Sequence, residues 1–182
     1  MKLTNRSVRI RLGMGMALGA LVLTVAGSPA AVAAPAPAAE SDHCVVTVPE
    51  TSTQCFATFD EAKAFADSMT GSGSAMRVSV VIWPLTVLVI AYDLANFNAA
   101  NGTLILISLN GPCTKSIANV DHQVANLPAG WDNRISSYIA GPYCWTKLFR
   151  DPNFGGPSVG FAGDTAMIGG GLNNNASSIQ WS

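Results

Sequence analysis

Two hexapeptides in the C-terminal half concentrate side-chain oxygen atoms. Residues 132–137 read Asp-Asn-Arg-Ile-Ser-Ser, and residues 173–178 read Asn-Asn-Asn-Ala-Ser-Ser. Each begins with two Asn/Asp residues, continues with two variable residues and ends with a Ser-Ser pair. Carboxylate, amide and hydroxyl oxygens suit a hard cation such as calcium, which takes about six to eight oxygen ligands. The spacing therefore indicates two candidate metal-binding loops.

Each hexapeptide closes one copy of a degenerate internal repeat. The first copy opens with Tyr92 and reaches an Asn96-Phe97 pair, and the second opens with Phe149 and reaches Asn153-Phe154. The aromatic residue precedes its hexapeptide by 40 residues in the first copy and by 24 in the second. We therefore expect an insertion in the first copy, around residues 98–101 and 111–113.

The second copy also carries a longer signature, in which an aromatic residue is followed after six residues by glycine and then by serine. Phe149, Gly156 and Ser158 match it, and Gly102-Thr103 fills the same place in the first copy after a short insertion. With both hexapeptides, this pattern resembles the microbial βγ-crystallins over roughly residues 88–182. The resemblance implies a mainly β fold, a Greek-key β-sandwich of two four-stranded motifs.

The resemblance also implies Ca²⁺ as the bound ion and a role for each residue of the loops. Side chains at the first, second and fifth positions would be ligands, the third would offer its carbonyl oxygen, and the hairpin of the partner motif would complete each site. The metal ligands would then be Asp132, Asn133, Arg134, Ser136, Asn173, Asn174, Asn175, Ser177, Asn96 and Asn153.

The sixth-position serines, Ser137 and Ser178, are expected to bond to the backbone instead. One carboxylate in two loops predicts weak binding, with dissociation constants of about 10⁻⁵ to 10⁻³ M. The alternative is that both loops only close hairpins, since Asn, Asp and Ser are common turn residues.

The N-terminus has the features of a secretory signal peptide. Lys2, Arg6, Arg9 and Arg11 precede an apolar stretch, and Ala31 and Ala33 satisfy the small-residue rule for cleavage. We place the signal at residues 1–33, with an Ala/Pro-rich lead-in at 34–41. The apolar stretch is short for a membrane anchor. The mature protein is therefore expected to be extracellular, with no membrane association after cleavage.

Charge and cysteine content limit the partners and agree with export. After cleavage, six basic residues face eleven acidic ones, a net charge of −5 without any basic block, which argues against nucleic acid. Four cysteines in an exported chain suggest two disulfides, and three pairings are possible. Cys44–Cys55 and Cys113–Cys144 are preferred because each joins residues of one part of the chain. A zinc site would be the alternative, but no CxxC spacing occurs.

The segment before the repeat predicts a small extension, residues 42–80, ahead of a β-sandwich domain at 81–182. A strand at residues 44–48 is followed by a helix that Thr58 begins, with Glu61 completing a capping box. The apolar run at residues 77–92 is split by Pro84 and predicts two buried strands.

The other chemically notable residues are expected to be structural, and no enzyme activity is predicted. Asp121 and His122 lack the sequence context of a catalytic nucleophile, and both histidines are expected at the surface. Trp131 and Trp181 are expected in the core. Tyr143 and Trp145 are expected to cover the disulfide at Cys144.

Protease inhibition is an alternative function for this chain. The Streptomyces-type metalloproteinase inhibitors and related killer-toxin-like proteins resemble this chain in export, disulfides and fold. Residues 110–115, held by a disulfide, would be the loop presented to a secreted protease. The expected partners are thus calcium ions and, in the alternative, such a protease, with the protein a monomer.

Overall fold

The computed structural model of the protein describes residues 42–49, 51–71 and 85–182. The expected signal peptide, the Ala/Pro-rich lead-in, the first half of the apolar run and the boundary near residue 80 lie outside these ranges. The described residues belong to one compact unit. No helix within them is long and apolar enough to cross a membrane.

Nine strands and one α-helix make up the described fold, and a single 3-10 turn at Pro152–Phe154 joins two of the strands. Most of the strands are short, as expected where Gly, Pro and Asn interrupt apolar runs. In chain order the elements are β1 His43–Val48, β2 Thr53–Phe56, α1 Phe59–Thr70, β3 Thr86–Tyr92, β4 Thr103–Ser108, β5 His122–Val124, β6 Ser137–Ala140, β7 Thr146–Asp151, β8 Gly155–Ser158 and β9 Ser178–Trp181.

The strands form two sheets. One has the order β2-β1-β4-β3-β6 and the other the order β5-β9-β7-β8. All neighbours are antiparallel except β1 and β4, which run parallel. The mainly β fold class predicted from the sequence is confirmed.

Each copy of the repeat forms a Greek key whose third segment, a strand in the first copy and a single bridge in the second, crosses to the other sheet. In the first copy, β5 leaves the sheet of β3, β4 and β6 and pairs with β9 of the second copy. In the second copy, Thr165 makes the reciprocal crossing, because it bridges to Tyr138 in β6. This exchange joins the two copies into one sandwich with approximate two-fold symmetry.

The core lies between the sheets and includes Trp131 and Trp181, which are 2% and 0% exposed. All six residues of β4 are buried. Strand β4 therefore reads as a continuous apolar run, the pattern of a strand covered on both faces.

The second face of β4 is covered by helix α1, which belongs to the predicted N-terminal extension. Helix α1 begins at the predicted cap, where the Thr58 hydroxyl accepts from Glu61 N and the Glu61 carboxylate accepts from Thr58 N. It ends at Gly71, whose φ of 71° few other residues adopt. Ala62 and Ala66 of the helix pack with Ile105 and Ile107 of β4.

Both disulfides form in the preferred pairing. Cys44 and Cys55 occupy directly opposite positions of β1 and β2. Cys113 and Cys144 tie the long connection between β4 and β5 to the start of β7. Part of the expected insertion lies in that connection, where a covalent bond anchors it.

Candidate metal centre

The hairpin corner of the first copy is held by the last residue of its hexapeptide. The Ser137 hydroxyl donates to Leu94 O at 2.6 Å and accepts from Phe97 N at 3.0 Å. Ser137 is fully buried. One hydroxyl therefore satisfies two main-chain groups of the corner that its hexapeptide adjoins.

The second copy repeats this arrangement. The Ser178 hydroxyl donates to Asp151 O at 2.7 Å and accepts from Phe154 N at 2.9 Å. Ser178 is also fully buried. In both copies the sixth-position serine is a backbone tether, as the sequence predicted.

Both corners also share a backbone conformation that suits their Asn-Phe pairs. Asn96 and Asn153 have φ values of 59° and 54°, in the left-handed region that asparagine tolerates better than most residues. Each following phenylalanine is left-handed too and packs edge-on against the aromatic residue that opens its copy. The repeat seen in the sequence is therefore a repeat of geometry.

Strand register shows which residue of the first copy corresponds to the signature serine of the second. Thr103 lies opposite Tyr92, and Ser158 lies opposite Phe149, so these residues are equivalent. Gly156 has a φ of 69°, and a Cβ there would overlap the Asp151 carboxylate. The signature glycine of the second copy is thus required both by its conformation and by a close contact.

The two hexapeptide loops lie side by side across the pseudo-two-fold axis. Asn133 N donates to Ala176 O at 2.9 Å, and Asn174 N donates to Ile135 O at 3.0 Å. These residues occupy equivalent positions, so the two bonds are reciprocal. The axis passes between the loops.

Each hairpin corner reaches the other copy as well. Asn96 N donates to Ala166 O at 2.7 Å, in the segment that leads into the second hexapeptide. Asn153 N donates to Ala125 O at 2.8 Å, in the segment that leads into the first. The backbone of each expected hairpin ligand is thus bonded to the chain ahead of the opposite loop.

The closest contact between candidate ligands joins the two loops. The Ser136 hydroxyl donates to Asn174 Oδ1 at 2.6 Å. The matching asparagine of the first loop, Asn133, instead donates its amide to the Asp132 carboxylate at 3.0 Å. Sequence reasoning missed this cross-loop pairing, for which the only signal was the repeat itself.

The candidate ligands divide by exposure. The hydroxyl-bearing Ser136 and Ser177 are buried at 4% and 5% exposure. The side chains at the first two positions of each loop are exposed, and those at the third positions are partly buried. The two loops therefore offer buried hydroxyls and exposed amide and carboxylate oxygens, the kinds of donor that calcium takes.

The candidate donors are mostly uncharged. Within the described residues, no three His, Cys, Asp or Glu side chains come together as a metal-binding group. Asp132 contributes the one carboxylate of the two loops, and the remaining donors are amide, hydroxyl and carbonyl oxygens. Such a set suits a hard cation bound weakly and does not suit zinc.

Arg134 is the one cationic residue in either loop, and its side chain is engaged by other groups. Its Nε lies 3.1 Å from Asp93 Oδ2, and its Nη2 donates to Asn101 O. Partial burial alone would lower the pKa of Arg134, but hydrogen bonds and charge from Asp93 and Asp42 outweigh it and raise the pKa. The charge is therefore retained and balanced by two carboxylates, and the guanidinium ties the loop to the hairpin.

The prediction that His122 lies at the surface is wrong. It is 9% exposed, lies opposite Trp181 in the second sheet, and has its Nδ1 3.3 Å from the Ser108 hydroxyl. Ser108 is fully buried, so the hydrogen bond between the two side chains lies inside the sandwich. The Asp121 carboxylate accepts from Thr114 N at 2.6 Å and so holds together the two ends of the loop at residues 114–121.

The fold is thus a β-sandwich of two interlocked Greek keys with a pair of oxygen-rich loops at its pseudo-two-fold axis. It is similar to βγ-crystallin domains of solved structure, as the sequence resemblance predicted. One is the N-terminal domain of protein S, with 20% identity over 52% of this chain and 94% of that chain and a TM-score of 0.36.

Two further similar structures come from other organisms. A βγ-crystallin domain from Flavobacterium johnsoniae shows 22% identity over 52% of this chain and 93% of that chain, with a TM-score of 0.35. A βγ-crystallin from Ciona intestinalis shows 22% identity over 52% of this chain and 98% of that chain, with a TM-score of 0.38. Comparisons with known sequence families and with curated proteins find no match.

Proposed function

We propose that the protein is an exported, monomeric calcium-binding module without enzymatic activity, in which calcium stabilises the β-sandwich. The observation that carries the proposal is the 2.6 Å contact between Ser136 Oγ and Asn174 Oδ1. Two candidate ligands from separate loops already lie within hydrogen-bonding distance. A cation between the loops would replace this hydrogen bond with two metal–oxygen contacts.

Each of the two proposed sites draws on both loops. Ser136 and Asn174 belong to one site, and by the two-fold relation Ser177 and Asn133 belong to the other. The third-position carbonyls of Arg134 and Asn175, and the corners at Asn96 and Asn153, are the further ligands of the sites. Asp132 and Asn173 hold the first positions, so the loops differ by one charge.

Calcium bound in this way links the two Greek keys and favours the folded state. Only the folded chain brings the loops together, so binding adds stability by mass action. At a free calcium concentration ten times the dissociation constant, one site adds about 1.4 kcal/mol. Export and calcium binding are consistent with each other, because weak calcium sites are typical of extracellular modules.

The support for export is the pair of disulfides. Both link cysteines in the described residues, and no cysteine there is left free. Disulfides persist in oxidising environments and are rare in the cytosol. Mass spectrometry of the protein from culture medium tests this, since a chain beginning at Ala34 is expected there.

Calorimetric titration of calcium into chelator-treated protein tests the binding. Two weak sites are expected, and Ser136→Ala and Asp132→Asn should each lower the affinity of at least one of them. Asp60→Asn is the matched control, because Asp60 is an exposed carboxylate in the first turn of α1. Absence of binding at millimolar calcium, or equal losses in Asp60→Asn and Asp132→Asn, contradicts the proposal.

Protease inhibition is the second candidate, and one loop favours it. In the expected loop, residues 110–115, Gly111 and Cys113 are buried, and the exposed part begins at Thr114 and continues to Val120. The Cys113–Cys144 disulfide holds its start, and the Ser182 hydroxyl donates to Ser116 O at 2.9 Å. A protease inhibitor needs such an exposed, pre-organised loop.

Assays against secreted metalloproteinases and serine proteases test this candidate. Inhibition that is lost in Lys115→Ala and kept in Lys63→Ala would support it, since Lys63 is an exposed lysine on α1. No inhibition at micromolar protein would leave the loop without a protease target.

A further inference from the structure

A small cavity lies beside the second disulfide, on a part of the surface that the calcium proposal does not use. Its volume is about 270 Å³. Tyr143, Trp145 and Asp164 supply its large side chains, and Gly141 and Gly163 leave backbone at its wall. This size is slightly below the usual range of small-molecule sites, about 300–1,000 Å³, and suits a ligand with one ring.

The aromatic residues of this cavity are largely exposed, although the disulfide beside them is buried. Tyr143 is 56% exposed and Trp145 is 42% exposed. The core tryptophans Trp131 and Trp181 are almost completely buried. Two exposed aromatic side chains at the rim of one cavity provide an apolar surface for a ligand.

The main chain holds Tyr143 in an unfavourable conformation. Its φ is 61°, in the left-handed region that bulky residues rarely adopt. The next residue, Cys144, is fixed by its disulfide and by a bond from its N–H to Gly141 O at 3.0 Å. The Lys115 ammonium lies 4.7 Å from the centre of the Tyr143 ring. Such strain persists where the surroundings enforce it, often at binding sites.

Asp164 adds a polar group to this apolar surface. Its Oδ1 accepts from Ala140 N at 2.9 Å, which fixes the carboxylate against β6. Its Oδ2 makes no hydrogen bond to another part of the described chain and remains an acceptor for a ligand. Gly163 lies under Trp145, since a Cβ on it would stand 3.6 Å from the Trp145 ring. The cavity therefore combines aromatic surface with one fixed acceptor.

We propose that this cavity binds a single ring of a neutral saccharide. A sugar ring has an apolar C–H face that packs on an aromatic ring and hydroxyl groups that donate to a carboxylate. Charge also favours a neutral ligand over an ion. Lys115 already provides a cation at Tyr143, which disfavours a second cation, and Asp164 disfavours an anion.

Calorimetric titration with tetrasaccharides of N-acetylglucosamine and of glucose, using the full mature protein, tests the proposal. Saturable binding of at least one of them is expected. Trp145→Ala and Asp164→Asn should each weaken it about tenfold or more, because stacking and the acceptor are lost. Met167→Ala is the matched control, since Met167 is a large apolar residue that is 66% exposed and lies outside this cavity.

Two results would overturn the proposal. The first is that neither tetrasaccharide binds; if choline chloride binds instead, the cavity is an aromatic site for an organic cation. The second is that binding occurs with equal affinity in Trp145→Ala and in Met167→Ala. The melting temperatures of all three variants, measured in parallel, show which of them are folded.

Discussion

Alanine substitutions at the two neighbouring serines of the first hexapeptide should have different effects: Ser137→Ala should lower the stability of the fold, and Ser136→Ala should weaken calcium binding. Ser137 bonds to two main-chain groups of the hairpin corner, whereas Ser136 bonds to the Asn174 side chain. Ser137→Ala leaves a carbonyl and an N–H without their partner inside the protein. Ser136→Ala removes one of the proposed ligands of a calcium site.

The magnitude follows from the groups left unpaired. Each unsatisfied buried polar group costs about 1–3 kcal/mol, and the corner is only partly buried, so Ser137→Ala should cost about 2–4 kcal/mol without calcium. This corresponds to a fall in Tm of roughly 8–15 °C for a domain of this size. Ser136→Ala should cost about 1 kcal/mol without calcium, because Asn174 is exposed and water can replace its partner.

Thermal unfolding followed by circular dichroism, in a chelator and in millimolar calcium, measures both effects. The gain in Tm on adding calcium should shrink in Ser136→Ala. Ser68→Ala is the control, since Ser68 is exposed on α1 and bonds to a backbone carbonyl there. If Ser137→Ala costs no more than Ser68→Ala in the chelator, the role assigned to the sixth-position serine is refuted.

Three further predictions concern the rest of the sandwich. Gly156→Ala should cost about 2–3 kcal/mol in urea unfolding, against about 1–2 for Gly71→Ala, because both have positive φ but only the former meets a carboxylate. Changing Cys113 and Cys144 together to alanine should cost about 3–4 kcal/mol in the same assay, as expected for a disulfide with a sequence separation of 31. Burial lowers the pKa of His43, so its neutral form is favoured by folding. Stability should therefore fall as the pH drops through the unfolded value of about 6.5, and His43→Gln should lessen this fall in Tm.

Local features of the chain were predicted well from the sequence. Thr58 and Glu61 make both hydrogen bonds of the expected capping box at the start of α1. These bonds depend on residues within one turn of each other, so few alternatives compete. The disulfide pairing was also predicted, since each bond stays within one part of the chain.

Predictions that depended on burial were less secure. His122 is polar and follows an aspartate, yet its position opposite Trp181 in a short strand buries it. Tyr143 and Trp145 are exposed, whereas the equally aromatic Trp131 and Trp181 are almost completely buried. Residue type alone does not tell which face of a strand or turn another segment will cover.

By itself, the sequence determined the chemistry of the two loops and their repetition. Oxygen-bearing side chains, turn-forming asparagines and tethering serines are properties of residues a few positions apart, so they can be recognised without a fold. Only the tertiary structure decided that Ser136 meets Asn174, since that contact spans the pseudo-two-fold axis. It requires both Greek keys to exchange their third segments and pack as two sheets, and this arrangement is set by burial of the whole core.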